Sequence, residues 1–554
     1  MEHSEADMTW DVIVIGAGLG GGLCGRALAE AGLSVLFVDR GTEGDRGATG
    51  ALDGSDHDPG TRHLRGCWPT RLHGSIDGRQ ITDFALQGTG PGGTSVFYAA
   101  SLERPERHDL EPTAAMPHPT GGWPVGYDEF RPWFDRAQDV MMLSGTDDPL
   151  RADAVAPLRP PPPLSPAEAA LVAQMEARGL HPYRMHLAIR GGPGCMECIG
   201  HKCPMDCKRD GRSAGVEPAL ATGRAVFMGD TVVQRLCGDR SRITHVEAEC
   251  AGKPVVLRAR IFVLAAGGLG SAHLLLASAS PDWPQGCAND SGLVGRGLMF
   301  HLGERVAIWP PRGLDRRGAL KTLCLRDFYA HDGRRLGLFQ SMGLPASYGN
   351  IVQILNDRYD NSPLRRFRPG RELTRIPAWI AARLLGEARI FCGILEDLPV
   401  DENRLTYDPA YPQGFTFTYR VSDDLRERRA MFRRRIRQGL RGLRSLFLSH
   451  EVELNLAHPC GTARFSDDPK RGVLDRDCKA HGLDNLYVAD SSFMPTSTGV
   501  NPSLTIVANA LRVADVISRR LEDVGTTVSG QGEADAPPVQ AGPAATPQTG
   551  MLSV

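Results

Sequence analysis

The chain has 554 residues, a formal net charge of −2 at pH 7 and 41% hydrophobic residues. It is long enough to bury more than one hydrophobic core, and its balanced charge gives no general attraction to nucleic acid. No apolar run reaches the roughly 18 residues of a membrane-spanning helix. Because the acidic first residues lead directly into an apolar strand, we expect a globular cytoplasmic protein without a secretory signal or a nucleic-acid partner.

The first predicted elements are a strand, a glycine-rich turn and a helix. The apolar run DVIVI at residues 11–15 is followed by Gly16, Gly18 and Gly21, with the spacing G-x-G-x-x-G. A helical pattern continues, and a second strand ends in Asp39. These glycines let a pyrophosphate approach the helix N-terminus, where unpaired N–H groups favour an anion. The sequence therefore predicts a dinucleotide site in which Asp39 accepts hydrogen bonds from the adenosine ribose.

Glycine-rich segments in the middle of the chain predict further walls of this site. Residues 88–98, GTGPGGTSVFY, form a loop that we expect to lie flat against a flavin ring or a pyrophosphate. Its candidate contact residues are Gly90, Gly92, Gly93 and Thr94. Residues 261–276, IFVLAAGGLGSAHLLL, predict a buried strand, a turn at Gly267 and a helix, and LVGRGLMFH follows at residues 293–301.

The C-terminal block, residues 458–517, has the clearest chemical meaning. His458 lies beside a Gly-Thr turn, a buried strand ends in Asp490, and Asn501 and Pro502 enter a helix. This order is typical of segments that cover the reactive side of a flavin ring. Together with the glycine-rich segments, it makes the chain similar to the glucose-methanol-choline (GMC) oxidoreductase family over nearly its whole length.

The resemblance implies a fold, a cofactor and a set of site residues. Similar family members bind FAD in an α/β, Rossmann-type domain and close the pocket with an inserted α+β substrate-binding domain on an antiparallel sheet. His458 matches the catalytic histidine of the family, and Asn501 matches its partner. The resemblance also implies cofactor contacts, at Val233 for the adenine and at Gly267, Asp490, Pro502 and Ser503 for the rest of FAD. Ala272 departs from the family pattern, because many members have proline there.

The same resemblance predicts a discontinuous cofactor domain. We expect it to comprise residues 8–150, 215–305 and 455–522, with the substrate-binding domain at residues 306–454. The remaining ranges are a connector with a cysteine-rich loop at residues 151–214 and a disordered tail at residues 523–554, whose Gly, Ala, Pro and Ser content cannot bury a core.

Alcohol oxidation explains why a histidine is needed at this position. Hydride leaves the carbinol carbon readily only if the hydroxyl proton is removed, and a neutral imidazole suits that task near pH 7. We therefore expect His458 to be the general base and Asn501 to hydrogen-bond the substrate oxygen while flavin N5 takes the hydride. The alternative for His458 is a histidine satisfied within the core.

Glu396 lies in the segment GILEDLPVDENRLTYDP at residues 393–409, where many relatives carry a similar acidic segment. It is a candidate for orienting a substrate hydroxyl. An acid on an exposed turn is the alternative.

A cluster of four cysteines predicts either metal binding or a structural loop. The spacing C-x2-C-x4-C-x3-C of Cys195, Cys198, Cys203 and Cys207 suits zinc or an iron–sulfur cluster. A subset of membrane-linked relatives binds a three-iron cluster in this region, whereas others use such cysteines for packing or disulfides. Structural thiols or a bridge therefore stay open.

Three functions remain open. The favoured one is FAD-dependent oxidation of a small alcohol (a sugar, polyol, steroid or secondary metabolite), with O2 or another electron acceptor. The second is a dehydrogenase that passes electrons through a cysteine-bound cluster to a quinone or cytochrome, and the third is a flavin-containing lyase. The arginine-rich stretch at residues 364–385 leaves peripheral membrane contact open, with the lip of a substrate pocket as the alternative, and the arginines of residues 425–447 are most simply a solvated helix face.

Overall fold

The computed structural model describes residues 8–44, 58–84, 86–192, 194–360 and 362–528. The strands within these ranges are β1 Thr9–Ile15, β2 Val35–Val38, β3 Arg71–Ile76, β4 Arg79–Phe84, β5 Tyr183–Arg184, β6 Ala225–Met228, β7 Thr231–Gly238, β8 Ile243–Cys250, β9 Lys253–Leu264, β10 Met299–Ile308, β11 Leu323–Leu325, β12 Ala330–His331, β13 Arg334–Arg335, β14 Gly337–Ser341, β15 Arg389–Leu395, β16 Arg404–Thr406, β17 Phe415–Tyr419, β18 Ser445–Phe447, β19 Glu453–Cys460 and β20 Leu486–Val488.

The α-helices of the same ranges surround and connect three sheets and a small hairpin. They are α1 Leu19–Glu30, α2 Pro59–Leu64, α3 Arg107–Leu110, α4 Tyr127–Val140, α5 Pro166–Glu176, α6 Glu217–Ala221, α7 Gly267–Ala277, α8 Tyr348–Asp360, α9 Arg368–Leu373, α10 Arg375–Leu385, α11 Asp423–Gly439 and α12 Ser503–Val528. Short 3-10 turns occur at Gly93–Phe97, Pro363–Arg366 and Ser491–Phe493, and a π turn occurs at Arg212–Val216.

The first sheet is built around the predicted strand, turn and helix at the N-terminus. Its order is β6-β2-β1-β9-β8-β7, with β20 also paired to β9. The pairs β6–β2, β2–β1, β1–β9 and β9–β20 are parallel, whereas β7, β8 and β9 pair antiparallel. The residues Val12, Ile13, Val14 and Ile15 of β1 are buried, as expected of a central parallel strand covered on both faces. This is the predicted Rossmann-type cofactor sheet.

The second sheet is antiparallel and provides the opposite wall of the site. Its order is β18-β10-β15-β14-β11-β5, and β19 also pairs with β10. A small sheet of order β16-β17-β3-β4 joins chain segments that are more than three hundred residues apart, because β17 pairs with β3 from Phe415–Leu72 to Tyr419–Ile76. The GMC-type α/β fold predicted from the sequence is therefore confirmed.

The sheets cross the domain limits that the sequence predicted. β3 and β4 lie within residues 8–150 but pair with a strand of residues 306–454, and β5 of the predicted connector joins the antiparallel sheet. β10 begins at Met299 and β19 ends at Cys460, so both span a predicted boundary. The division into six ranges remains a proposal, since these strands connect the two domains.

Two predicted segments end differently in the structure. The apolar pattern at residues 425–447 is not one helix, because α11 ends at Gly439 and Leu446 lies in β18, which pairs with β10. Residues 523–528 of the predicted disordered tail are helical instead, because α12 continues to Val528. The remainder of that tail lies outside the described residues.

Candidate active site

A cavity of about 950 Å³ lies where the cofactor sheet meets the antiparallel sheet. It is bounded by Gly16 and Gly18 after β1, by His458 of β19 and by Asn501 before α12. The other predicted site residues that line it are Asp39, Gly93, Thr94, Val233, Gly267, Asp490, Pro502 and Ser503. Residues that are far apart in the sequence therefore share one compartment.

Three helices begin at this cavity and make it suitable for an anionic cofactor. The residues Gly18, Ala266 and Ser503 at the N-termini of α1, α7 and α12 all line it. Neither Gly18 nor Ala266 caps its helix with a side chain, and none of these helices has an acid in its first turn. The positive helix ends therefore favour the pyrophosphate of a dinucleotide and negative charge on a flavin, although the first N–H group of α7, that of Gly267, already donates to Asp490.

Two glycines of the predicted fingerprint, Gly16 and Gly21, are at positions where a side chain would collide with the backbone. Gly16 has φ +100°, and a Cβ atom there would lie 2.5 Å from the carbonyl oxygen of Ala265. A Cβ at Gly21 would lie 2.0 Å from the carbonyl oxygen of Gly16, so this glycine packs helix against strand and does not line the cavity. Gly267 has φ +84° and no atom within 4 Å of a Cβ position, which leaves the cavity open beside α7.

Gly90 and Gly92 do not lie against the cofactor cavity as the sequence predicted. The amide of Gly90 donates to Asp39 Oδ1 at 2.7 Å, and the amide of Gly92 donates to the carbonyl of Ala17 at 2.8 Å. These bonds hold the loop against the β1–α1 turn. The contact surface is instead formed by their neighbours Gly93 and Thr94.

Asp39 ties three loops together at the end of β2. Its Oδ2 accepts a hydrogen bond from Ala17 N at 2.8 Å, and its Oδ1 accepts from Gly41 N at 2.9 Å and from Gly90 N. Because each carboxylate oxygen has two acceptor sites, Oδ2 keeps capacity for a further donor. Its contact with the adenosine ribose remains a prediction, and its organising role was not expected.

Unsatisfied polar atoms near Asp39 show that this end of the cavity fits a polar ligand. Arg40 Nη1 and Thr89 Oγ1 are buried, line the cavity and have no hydrogen-bond partner among the described residues. Buried polar groups of this kind cost about 1–3 kcal/mol each unless something satisfies them. The adenosine and phosphate oxygens of FAD would supply such partners, so the residues present fit the cofactor.

Asp490 organises the start of α7 from the end of β20. Its Oδ2 accepts hydrogen bonds from Gly267 N at 2.9 Å and from Ser271 Oγ, while its Oδ1 accepts from the amide and hydroxyl of Ser492. Burial raises the pKa of this carboxyl, and these donors oppose the rise. Asp490 thus fixes the backbone that surrounds the cofactor.

A large bulge in β19 directs His458 towards the cavity. Met299 of β10 pairs with Cys460, but His301, two residues further along, pairs with Asn455. The residues between Asn455 and Cys460 therefore leave the strand ladder, as bulges near functional sites commonly do. His458 lies in this bulge, deep in the protein and open to the cavity.

The neighbours of His458 influence which of its two ring nitrogens carries the hydrogen. Its Nδ1 lies 3.2 Å from Nδ1 of His301, whose Nε2 lies 3.0 Å from the carbonyl oxygen of Thr498. Because a carbonyl only accepts, His301 carries its hydrogen on Nε2 and presents Nδ1 as an acceptor. His458 then donates from Nδ1, and its Nε2 is left unprotonated for a substrate.

Asn455 also lies beside this nitrogen, with its Nδ2 atom 3.1 Å from His458 Nδ1. Asn455 Oδ1 accepts a hydrogen bond from Ala457 N at 3.2 Å, so its Nδ2 is directed as a donor at His458 Nδ1. This contact favours a hydrogen on His458 Nε2, whereas the contact with His301 favours a hydrogen on Nδ1.

Burial keeps the two histidines neutral. It is the largest cause that holds the pKa of His458 well below its usual value of 6.5, and nearby His301 and Lys321 act in the same direction. Burial also lowers the pKa of His301 to about 4, although its backbone hydrogen bonds oppose this shift. A neutral imidazole at ordinary pH is the form that accepts a proton.

Asn501 belongs to a cluster of three polar side chains. Its Nδ2 donates to Gln340 Oε1 at 3.0 Å and to Ser101 Oγ at 3.2 Å, and Ser101 Oγ also donates to Gln340 Oε1 at 2.9 Å. All three line the same cavity as His458. The cluster fixes the Asn501 amide by contacts that the sequence did not reveal.

Glu396 is buried and bonded to an arginine. This corrects both sequence interpretations, the substrate contact and the exposed turn acid. It is fully buried, is not among the residues that line the cavity, and forms two bonds with Arg335, from Nε at 2.8 Å and from Nη2 at 3.0 Å. Burial raises the pKa of the Glu396 carboxyl, and Arg335 opposes that rise. Glu396 is therefore neither an exposed acid nor a substrate contact.

Replacement of Glu396 by alanine is expected to lower the free energy of unfolding by about 3–5 kcal/mol, because it leaves the Arg335 charge buried and incompletely paired. The KM for an alcohol substrate should change little. Urea unfolding of the holoenzyme measures the first value, with the exposed Glu402→Ala as the control. A large rise in KM at unchanged stability would restore the substrate role.

The cysteine-rich loop lies beside the cavity without forming a compact metal site. Within this loop, Ile199 and Gly200 line the cavity. The thiols of Cys195, Cys198, Cys203 and Cys207 are free and form two neighbouring pairs, Cys198 with Cys203 and Cys195 with Cys207. Within the described ranges, no three of these sulfur atoms lie within 4.8 Å of one another. A single tetrahedral zinc ion requires a closer arrangement, so the zinc prediction is not supported.

A dinucleotide cradle that opens onto a neutral, buried histidine defines the class of protein as an FAD-dependent oxidoreductase acting on CH–OH groups. Residues 12–303 match the N-terminal family model of GMC oxidoreductase, and residues 399–510 match the C-terminal one. The chain belongs to the GMC oxidoreductase family, and the predicted family and FAD cofactor are thereby confirmed.

Individual relatives extend over almost the whole chain. It is 30% identical to paromamine 6'-oxidase of Streptomyces fradiae, with 94% of each chain covered. It is 28% identical to 6'''-hydroxyparomomycin C oxidase of Streptomyces lividus, covering 94% of this chain and 93% of that protein. The structure of pyridoxine 4-oxidase from Mesorbium loti has the same fold, with a TM-score of 0.60, 19% identity and 92% and 99% of the two chains covered.

The sequence interpretation missed His301, Gln340 and Lys321, which all contact or face the residues around His458. His301 ends the LVGRGLMFH segment, so its place in a recognised motif was a signal. Gln340 and Lys321 had no signal, because neither lies in a motif.

Proposed function

We propose that His458 is the general base of alcohol oxidation, and that Asn501 holds the substrate oxygen. The observation that carries this proposal is the contact between His458 and His301, which leaves His458 Nε2 as the unprotonated nitrogen at the cavity. Bound FAD supplies the acceptor for the hydride. His458 Nε2 removes the hydroxyl proton, and the Asn501 amide gives up its hydrogen bond with Ser101 or Gln340 to donate to the oxygen as negative charge develops on it.

An anaerobic visible spectrum tests this function. The purified holoenzyme is mixed without oxygen with sugars, polyols, sterols, long-chain alcohols and hydroxy acids, and the flavin band near ~450 nm is followed. Bleaching by one class, followed by recovery in air, is the expected result. A spectrum that no alcohol changes would contradict the proposal and favour the flavin-containing lyase.

The pH dependence of kcat/KM follows from the environment of His458. Below its pKa the ring holds a proton and cannot accept another, and that pKa lies well below 6.5. With an alcohol that does not ionise, we expect kcat/KM to stay level as the pH is lowered to 6.5 and to fall only at more acid values. Steady-state rates across this range check the expectation, which an acid limb centred above 6.5 would contradict.

His301 is proposed as a positioning residue that fixes the His458 tautomer. His301→Leu removes the acceptor for the Nδ1 hydrogen, so the rate of flavin reduction should fall roughly tenfold to a hundredfold, as for other partners that orient a reactive histidine. His301→Gln retains an acceptor and should recover much of that loss. Equal rates for the two variants would exclude this role.

We propose O2 as the electron acceptor, since the two relatives of 30% and 28% identity described above are named oxidases. The cluster-dependent dehydrogenase is less favoured for the same reason. Hydrogen peroxide formed in step with substrate consumption is the expected result.

A cytoplasmic location is also proposed, because all 13 cysteines are free thiols, as in reducing compartments.

We also propose peripheral contact with an anionic bilayer through α9 and α10. No helix within the described ranges is long and apolar enough to cross a membrane. These helices nevertheless expose a group of apolar side chains, namely Phe367, Leu373, Ile376, Trp379, Ile380 and Leu384. The segment of residues 364–385 carries six arginines and one glutamate, which suits an anionic lipid surface.

Vesicle flotation tests the bilayer contact. The protein should float with vesicles that contain phosphatidylserine and not with phosphatidylcholine alone. The double variant Trp379→Glu and Leu384→Glu should lose this binding, whereas Leu64→Glu, on the exposed face of α2, should retain it. Equal flotation of both variants would contradict the proposed surface.

A further inference from the structure

Lys321 is a buried cation at the wall of the active-site cavity. It lies just before β11, is 3% exposed and lines the same cavity as His458, whose pKa its charge helps to lower. Fully buried lysines are rare unless they are paired with an acid. The partners of Lys321 therefore show whether its charge is compensated within the protein.

The protein provides few hydrogen-bond or ion-pair partners for the Lys321 ammonium group. Its Nζ donates one long hydrogen bond, of 3.4 Å, to the carbonyl oxygen of Ser341. An ammonium group has three N–H donors. No carboxylate of the described residues forms an ion pair with Lys321 within 4.0 Å, although that range contains many other ion pairs.

The nearest acids are engaged elsewhere. Glu197 accepts a hydrogen bond from the amide of Leu320 at 3.0 Å, and Glu103 accepts from the Tyr183 hydroxyl and the His186 amide, each at 2.9 Å. Burial lowers the pKa of Lys321 to about 8 and the neighbouring acids and thiols oppose this, so the amine still carries its proton at neutral pH.

The surroundings of Lys321 in the cavity contain no acid. Among the described residues that line the cavity, the carboxylates are Asp39 and Asp490. Both lie in the part lined by the cofactor sheet, the cofactor half, where backbone N–H groups donate to them. The part around His458 is the substrate half. The substrate half presents the amides of Gln340 and Asn455 with apolar groups such as Met342. An uncompensated cation in an apolar and amide-lined space is an anion-binding arrangement.

We propose that Lys321 binds a carboxylate of the substrate, so that the alcohol oxidised at His458 is part of a hydroxy acid. This inference rests on the proposed function. One ammonium charge matches one carboxylate, whereas phosphate groups are usually held by several donors or by arginine forks. Alcohols that carry a positive charge should be excluded, because burial near Lys321 would leave two like charges uncompensated.

The reaction that follows is balanced. The carbinol carbon gives its hydrogen as hydride to FAD, the hydroxyl proton passes to His458 Nε2, and the hydroxy acid becomes an oxo acid. The carboxylate keeps its charge throughout the reaction and serves only to bind the substrate to Lys321. Reoxidation of the reduced cofactor by O2 yields hydrogen peroxide.

Two measurements on the holoenzyme test the carboxylate site. Propionate, which has a carboxylate and no hydroxyl, should perturb the visible flavin spectrum to saturation. Lactate, glycerate, gluconate and mandelate are then each compared with their primary amides in anaerobic flavin reduction. The best acid should exceed its amide at least tenfold in the second-order rate constant of reduction, and Lys321→Met should bring this ratio close to one and abolish the propionate effect.

Lys253→Met is the matched control, because Lys253 is an exposed lysine at the start of β9, and its acid-to-amide ratio should equal that of the unaltered enzyme. FAD content and circular dichroism report whether Lys321→Met folds. If it does not, Lys321→Gln replaces it, and the propionate titration of the unaltered enzyme decides by itself.

Three outcomes would overturn the inference. They are the absence of a propionate effect, equal reduction by acids and amides in the unaltered enzyme, and stronger binding of a phosphate monoester such as glycerol 3-phosphate. Bleaching by neutral alcohols without any effect of carboxylates would reject the Lys321 site and leave the proposed function intact. Saturable propionate binding with no bleaching by any alcohol would reject the proposed function and leave the carboxylate site intact.

Discussion

Replacement of His458 by alanine is expected to leave FAD bound and to lower the rate of flavin reduction by about 10²–10⁴. The physical reason is that no other described group around the base position is free to accept the substrate proton. His301 is fully buried and does not line the cavity, and Asn455 and Asn501 have amides, which are not bases at neutral pH. The change does not touch the glycine turn or the helix N-termini that hold the cofactor.

Stopped-flow reduction under nitrogen, with the alcohol that bleaches the unaltered enzyme most rapidly, measures this effect directly. The FAD-to-protein ratio from the visible and ultraviolet spectra verifies that the cofactor is retained. His450→Ala is a matched control, since His450 is exposed and lies outside the cavity. Near-normal reduction in His458→Ala would refute the assignment of the base.

Replacement of Gly16 by alanine is expected to give a protein that loses FAD. The φ of +100° strains any residue with a Cβ atom, and that atom would lie 2.5 Å from the Ala265 carbonyl oxygen and 2.8 Å from the Ala266 amide nitrogen. Because both contacts are with backbone at the β9–α7 turn, relief requires β1 and β9 to separate just where the pyrophosphate binds. Strain of about 1–3 kcal/mol corresponds to a loss of roughly tenfold to a hundredfold in FAD affinity.

The affinity is measured by removing FAD from each protein and titrating it back with fluorescence detection. Gly349→Ala provides the control, because Gly349 has no positive φ and its Cβ position is open. The thermal unfolding midpoint of each apoprotein separates weak binding from failed folding. Full occupancy by FAD in Gly16→Ala would show that the turn tolerates a side chain.

The parts of the fold that were predictable are those that depend on neighbours in the sequence. β1, the glycine turn and α1 follow from an apolar β-branched run, three spaced glycines and a helical pattern within about two dozen residues. His458, Asp490 and Asn501 were assigned through a motif that is contiguous in the chain, and the structure places all three at one cavity.

The parts that were mispredicted depend on distant partners. Glu396 looked like a turn acid because the sequence does not show Arg335, which lies 61 positions away and neutralises it inside the core. Gly90 and Gly92 looked like cofactor contacts, but their amides are bound by Asp39 and Ala17 from the first strand–helix unit. The four cysteines have a metal-like spacing, yet the loop arranges them as two pairs.

The sequence by itself determined the cofactor class and the family, because glycine spacing and a contiguous motif encode local backbone geometry, and it predicted His458 as the reactive histidine. Only the tertiary structure places His301 and the Thr498 carbonyl beside His458, across β10 and β19, and this arrangement supports the proposal that His458 Nε2 is the base. It also decided that Lys321 is an unpaired cation in the cavity. Both properties depend on which groups surround a side chain after folding, and the order of residues along the chain does not show which groups those are.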